Sequence, residues 1–144
     1  MSVAIKVKNV SKSFNDSVIL DDISIDFYEN KIYGLLGKNG VVYKGCNIEN
    51  AAYTPTNCAE RTAFFKAVSE GQMEFEAIAI VGGKEGQKGE FCAPCGVCRQ
   101  VMMEFCNPKE FKIYLAKDKN NLSDYKEFKL EEILPLGFGP DNLK

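Results

Sequence analysis

Two short stretches hold the residues best suited to chemistry: Cys58-Ala59-Glu60, and Pro94-Cys95-Gly96-Val97-Cys98 with Arg99-Gln100 behind it. Three thiols gathered from such stretches can hold a zinc ion and leave its fourth position open to water, which is the arrangement of a hydrolytic centre. Glu60 follows the first thiol too closely to be an obvious extra ligand, yet it can reach that water, so its expected role is proton shuttle. A glutamate in the first turn of a helix also complements the helix dipole, and without the three cysteines that would be the simpler interpretation.

Both stretches should open helices. Ala59 to Val68 and Arg99 to Phe105 follow the thiols directly, with apolar residues at helical spacing. Pro94 is a helix-start residue. Helix amino ends favour thiolates, so two of them facing one ion would supply one sulfur from the first helix and two from the second. Three thiolates over-neutralise a divalent ion by one unit. Arg61 and Arg99, each adjacent in the chain to this machinery, are candidates to offset the excess by donating hydrogen bonds to sulfur; a solvated basic residue at a helix start is the alternative for each.

Cys-Ala-Glu followed by Pro-Cys-x-x-Cys resembles the zinc deaminases of nucleosides and bases. Gly45 to Tyr53, Cys58 to Gly71 and Pro94 to Val101 resemble the small three-cysteine cytidine deaminases in particular. The resemblance spans about residues 41–144 and implies a mixed α/β sheet in three layers with helices on its faces. It also implies Zn2+ on Cys58, Cys95 and Cys98, deamination of cytidine or deoxycytidine through Glu60, a place in pyrimidine salvage and a homotetramer. Asn47 and Glu49 fall on one face of an expected strand, Val41 to Glu49, and by resemblance bind the ribose 3′-hydroxyl region. A solvated strand end is the plain alternative. Tyr53, by resemblance, lies near a subunit interface. Phe138, in the tail Leu134 to Pro140, would reach the pyrimidine of a neighbouring subunit or else simply anchor the tail.

The 144 residues fit an ordinary domain, and 18 basic against 20 acidic side chains leave a net charge of −2. That balance provides no field for nucleic acid or an acidic membrane. The chain shows no signal-peptide pattern and no apolar run long enough to span a bilayer, so a cytoplasmic protein acting on a small nucleoside is expected. Of the six cysteines, Cys46, Cys92 and Cys106 remain after the zinc set and should be reduced thiols serving as small apolar side chains. Cys92-x-x-Cys95-x-x-Cys98 is also faintly similar to an iron–sulfur run, but the spacing to Cys106 is wrong for one.

Residues 1–40 lie outside the deaminase pattern. Val7 to Phe14, Ile23 to Phe27 and Lys31 to Gly40 resemble the opening of an ABC transporter ATPase subunit. In that family the last stretch runs into a phosphate-binding loop, Gly-x-x-x-x-Gly-Lys-Ser/Thr, whose last three positions here hold Val42, Tyr43 and Lys44. ATPase activity is therefore not expected, and Phe14, where such ATPases stack adenine, reads as a core or edge aromatic. The join falls at Leu35 to Tyr43, which reads as strand, Asn39-Gly40 turn and strand. Both families need a hairpin-like extension there, so an in-frame fusion preserving it is expected.

In the family a helix and a strand carrying a pyrimidine-packing Phe precede this point. Counting back from the hairpin, Glu29 occupies the Phe position, with Phe27 or Tyr28 substituting only if the register slips, and two extra strands replace the helix. Downstream, strands at Glu76 to Val81 and Phe111 to Ala116, a Gly-rich loop from Gly82 to Phe91 and a short helix from Lys129 to Leu134 complete α/β layering. Three alternatives stand beside a working cytidine deaminase. They are a related antibiotic-nucleoside deaminase, a catalytically impaired zinc-binding remnant, and a structural zinc module needing a fourth ligand in a chain without histidine.

Overall fold

The computed structural model describes residues 3–14, 17–28, 33–82, 90–117 and 123–144. Strands β1 (Val3–Phe14) and β2 (Ser17–Tyr28) pair with each other antiparallel in a two-stranded sheet. These are the two extra strands expected from the alternation in that region. Glu29, the proposed stand-in for the packing Phe, lies outside the described residues, as does 83–89 of the Gly-rich loop.

Five strands form the second sheet in the order β4-β3-β5-β6-β7: β3 (Tyr33–Gly37), β4 (Val42–Lys44), β5 (Phe75–Val81), β6 (Lys112–Ala116) and β7 (Tyr125–Lys129). Only β5 and β6 run parallel; helix α2 (Gly96–Phe105) lies between them in the chain. Strand register lines up one apolar row. Leu35 pairs with Ile78, Ile78 with Ile113 and Ile113 with Phe128. The first three are fully buried, because successive side chains point to opposite faces and this face meets the helices. The opposite face of β5 is less covered: Ala77 is half-buried and Ala79 exposed.

Helix α1 (Ala59–Ser69) buries Ala59, Ala63, Phe64 and Ala67, one stripe at helical spacing. Phe64 is its anchor, with ring centroids 5.0 Å from Phe75, 6.2 Å from Phe105 of α2 and 6.1 Å from Phe111. The helix ends in a Schellman motif: Gly71 takes φ 88 and donates to Val68 O, while Gln72 donates to Ala67 O. Gly71 is suited to that position because φ > 0 is unstrained without a Cβ.

The β3–β4 hairpin exists, but Asn39-Gly40 is not its two-residue loop. Gly40 N donates to Gly37 O, and Gly37 N donates to Val41 O. Lys38 and Asn39 therefore form the centre of the turn, and Gly40 at φ 77 follows it in the left-handed region, a longer hairpin type. Asn39 supports this by accepting from Val41 N at 3.0 Å. The strand expected through Glu49 stops at Lys44; beyond it, only Ile48 bridges, to Asn57. Just past its end, the backbone of Gly45 lies so close to α1 that a Cβ there would sit 2.0 Å from Ala59 O.

Strand β7 and a final 3-10 turn (Pro140–Leu143) add to the expected elements, and α3 (Leu130–Ile133) lies inside the predicted short helix. Among the described residues no helix is long and apolar enough to cross a membrane.

Candidate active site

Cys58 and Cys95 are the N-cap residues of α1 and α2, both with extended backbones (ψ 153 and 166). Pro94 accordingly stands just outside α2, not in its first turn. Cys98 follows in that turn, almost wholly buried. The two helix starts bring the sulfurs together: Cys58 Sγ lies 3.8 Å from Cys95 Sγ, Cys95 Sγ 3.4 Å from Cys98 Sγ, and all three lie within 4.8 Å of one another. Zn–S bonds of about 2.3 Å in tetrahedral geometry require sulfurs about 3.8 Å apart, which this set approaches. Among the described residues no fourth ligand atom joins the three, so those residues do not assemble a closed four-ligand site. The iron–sulfur alternative fails for the same reason, since Cys92 and Cys106 stand outside the group.

The electrostatics around the sulfurs suit a cation. Burial drives the Cys98 thiol strongly upward, with the charge of Glu60 and contacts with the other thiols adding to it. Burial also raises Cys95, but amide donors from Cys98 and Val97 and the neighbouring thiols outweigh it, leaving Cys95 below its ordinary value. A divalent ion reverses this cost by deprotonating coordinated thiols outright. Arg61 stands against the cluster, its guanidinium donating to Cys58 Sγ at 3.7 Å and to Thr56 O at 3.1 Å. The Cys58 contact raises its pKa despite opposing burial. Arg61 Nε is buried without a hydrogen-bond partner, an unsatisfied donor on the guanidinium that contacts Cys58 Sγ. Three soft donors, their spacing and this arginine fit Zn2+, the cofactor of the centre.

Arg99 is arranged differently from the expectation. Its Nε donates to Pro94 O at 2.7 Å and its other guanidinium nitrogen to Ile133 O at 2.7 Å, so its observed hydrogen bonds reach carbonyls rather than sulfur. Gln100 donates to Phe138 O at 2.8 Å. The pair ties the carboxyl-terminal tail to the helix that supplies two thiols.

Glu60, in the first turn of α1, is only 6% exposed, the buried charged residue of the core region. Asn47 and Glu49 come side by side, Asn47 Nδ2 to Glu49 Oε1 3.5 Å, both exposed. Asn47 Oδ1 additionally accepts from Ala59 N at 3.0 Å, the amide between Cys58 and Glu60. Sequence reading missed this bond. The available signal was a Gly-x-Asn run opposite the small residues Ala59 and Ala63, which permits close approach of a strand to a helix start. Tyr53 is 86% exposed at φ 59, and Phe138 is 57% exposed; within one chain neither is brought to the sulfurs by a recorded contact.

Cys106 is buried, as a small apolar side chain should be. Cys92 is not: it is exposed, and its pKa is raised by partial desolvation and then by the fields of Glu60 and Cys58. The side-chain size of its neighbour is limited there, because a Cβ on Gly82 would meet Cys92 Sγ at 2.9 Å.

Residues 34–115 match the family model of the cytidine and deoxycytidylate deaminase zinc-binding region. The chain belongs to the cytidine deaminase family. A cytidine deaminase of Sporosarcina psychrophila is 49% identical over 109 residues, covering 76% of this chain and 74% of its own. A cytidine deaminase of Halalkalibacterium halodurans is 47% identical over 109 residues, covering 76% of each. Among solved structures, the cytidine deaminase of Burkholderia pseudomallei superposes with a TM-score of 0.63 at 41% identity, over 77% of this chain and 84% of that one. That of Mycobacterium tuberculosis gives 0.58 at 33% identity, over 78% and 82%. The zinc-dependent hydrolase fold of the cytidine deaminases is thus carried by the five-stranded sheet and the two cysteine-capped helices.

Proposed function

We propose that the chain hydrolyses cytidine or deoxycytidine to uridine or deoxyuridine, water entering and ammonia leaving. The observation that carries this is the convergence of Cys58, Cys95 and Cys98, with no fourth ligand atom among the described residues, beside the buried Glu60. Zinc bound by the three thiols supplies a Lewis acid that makes water nucleophilic near neutral pH. Glu60 takes the proton of the attacking water and gives it to the ring nitrogen next to the target carbon. In a second transfer, Glu60 takes the remaining proton of the added hydroxyl and delivers it to the departing amino group, so that the carbon–nitrogen bond breaks, ammonia leaves and the carbonyl forms. Burial keeps Glu60 out of bulk solvent and its proton on this path. Arg61 offsets the excess charge of the thiolates; Arg99 holds α2 and the tail in place.

Asn47 and Glu49 take the sugar. Nδ2 donates and the carboxylate accepts, so one hydroxyl between them satisfies both. Phe138 and Tyr53 stand exposed, which suits contacts between subunits of a homotetramer in which Phe138 packs on a neighbour's pyrimidine. The setting is pyrimidine salvage in the cytoplasm, with no nucleic-acid or membrane partner. An impaired remnant is disfavoured, because the three sulfurs come together, Glu60 is buried in the first turn of α1, and Asn47 and Glu49 lie side by side. An antibiotic-nucleoside substrate suits the Asn47-x-Glu49-Asn50-Ala51 run less well.

Residues 1–40 are an ABC-ATPase-like opening fused in frame at the β3–β4 hairpin, ahead of a deaminase domain over 41–144. The motifs quoted for that stretch support this, and sequencing the source locus tests it: an uninterrupted ordinary deaminase reading frame there would refute a natural fusion. For the activity, the zinc-loaded chain given cytidine should form uridine and ammonia one for one. Zinc-loaded chain that leaves cytidine unchanged would overturn the assignment.

A further inference from the structure

Helix α1 starts with an unusual need. Its N-cap residue, Cys58, makes no side-chain cap hydrogen bond, since its sulfur faces Cys95 Sγ 3.8 Å away. The first-turn amides of a helix have no partner within it. One of them, Ala59 N, is satisfied from elsewhere in the chain, by Asn47 Oδ1 at 3.0 Å. A backbone amide can only donate, so Asn47 must present its oxygen to the helix and turn its amino group outward, where Glu49 Oε1 lies 3.5 Å away. Two residues earlier, the Gly45 backbone rests on Ala59 O and Ala63 N, approaching so closely that any Cβ would clash. The segment from Gly45 to Asn47 is therefore seated against the first turn of α1, with Ala59 itself 1% exposed between a zinc ligand and the shuttle.

We infer that Asn47 is a positioning residue for the first turn of α1, holding Cys58 and Glu60 in register by accepting from Ala59 N whether or not a sugar hydroxyl is bound. This goes beyond the sugar contact and rests on the proposed deamination only for its kinetic readout. Ala59 is flanked by the two residues that must be placed, so loosening its amide shifts both together. Misplacement of reacting groups by about 1 Å costs on the order of 100-fold in rate, and losing a partner for a first-turn amide destabilises a helix start.

The test uses a substrate lacking the hydroxyls that Asn47 and Glu49 would hold, 2′,3′-dideoxycytidine, with wild-type chain, Asn47→Ala and Asn47→Asp. Asn47→Ala should lower kcat on this probe about 10-fold and release zinc at a lower chelator concentration. Asn47→Asp keeps an oxygen for Ala59 N, next to the positive end of the helix, and should recover part of both although its second oxygen then opposes Glu49 Oε1. If Asn47→Ala fails to fold, a folded, zinc-retaining Asn47→Asp is the same rescue and supports the role. Two results overturn it: wild-type kcat for Asn47→Ala on the dideoxy probe with only KM for cytidine raised, or Asn47→Asp no better than Asn47→Ala. A wild-type chain without turnover strikes the proposed activity instead, and the order of zinc retention among the variants still decides the positioning role.

Discussion

The starts of α1 and α2 are built from the same device and do different work. Each places a cysteine at the N-cap, with extended backbone, so that its sulfur leaves the helix end toward a common point. Around α1 stand groups that act on charge and protons: buried Glu60 in the first turn, Arg61 against Cys58 Sγ, and Asn47 on the Ala59 amide. The first turn of α2 has no acidic residue; it adds a second thiol, Cys98, and behind it Arg99 and Gln100 bind backbone carbonyls of Pro94, Ile133 and Phe138. On the proposed reading, the start of α1 carries the proton shuttle together with one thiol, and the start of α2 supplies the other two thiols. A shared ligand type therefore does not mean a shared role, and the two arginines separate the roles most clearly.

The largest effect should come from the gripping side. Cys98→Ser removes a buried sulfur from the cluster, and the purified variant should hold little zinc by metal analysis and show no turnover. Full zinc content in that variant would mean that two thiols suffice. Arg61→Ala should lower kcat by roughly 10- to 100-fold and weaken zinc retention, as loss of a hydrogen-bonding partner of a metal ligand does elsewhere. Gly45→Ala should act through packing: with Ala59 O and Ala63 N in the way, the expected cost is about 1–3 kcal/mol, read as a lowered Tm.

Arg99→Lys should be the mildest. It keeps the charge but cannot span two carbonyls, so a stability loss of about 1 kcal/mol is expected, with zinc retention near wild type. If Arg99→Lys instead weakened zinc as much as Arg61→Ala does, the two helix starts would share the charge-tuning task and the contrast would fail.

Much of this was legible before the fold. The thiol spacing and the apolar stripes give both helices and their meeting point, because Cys58 stands one residue ahead of the run from Ala59 to Val68 and Cys98 one residue ahead of the run from Arg99 to Phe105. Local pattern could not give what depends on approach between distant segments. The direction of the Arg99 guanidinium was set by Pro94 O and Ile133 O, the latter 34 residues away, while adjacency to Cys98 suggested sulfur. The Asn47 cap likewise spans 12 residues. Strand β7 was missed because Tyr125 to Lys129 is an edge strand with only Phe128 turned inward among charged side chains. Its place is fixed by partners on β6, including Lys112 to Glu127 at 3.7 Å and the Tyr114–Tyr125 ring contact at 5.8 Å. Asn39-Gly40 marked the hairpin, but the turn is centred one residue earlier, on Lys38 and Asn39, with Gly40 following at φ 77.

The division between a gripping and a reacting helix start is tested most directly by Glu60→Gln, with zinc per chain and the loss of cytidine absorbance measured on the same sample. The variant should bind zinc as the wild type does and turn over at least about 100-fold more slowly, the lower end of what a positioned acid–base group contributes. A Glu60→Gln chain that deaminates cytidine at the wild-type rate would contradict the account.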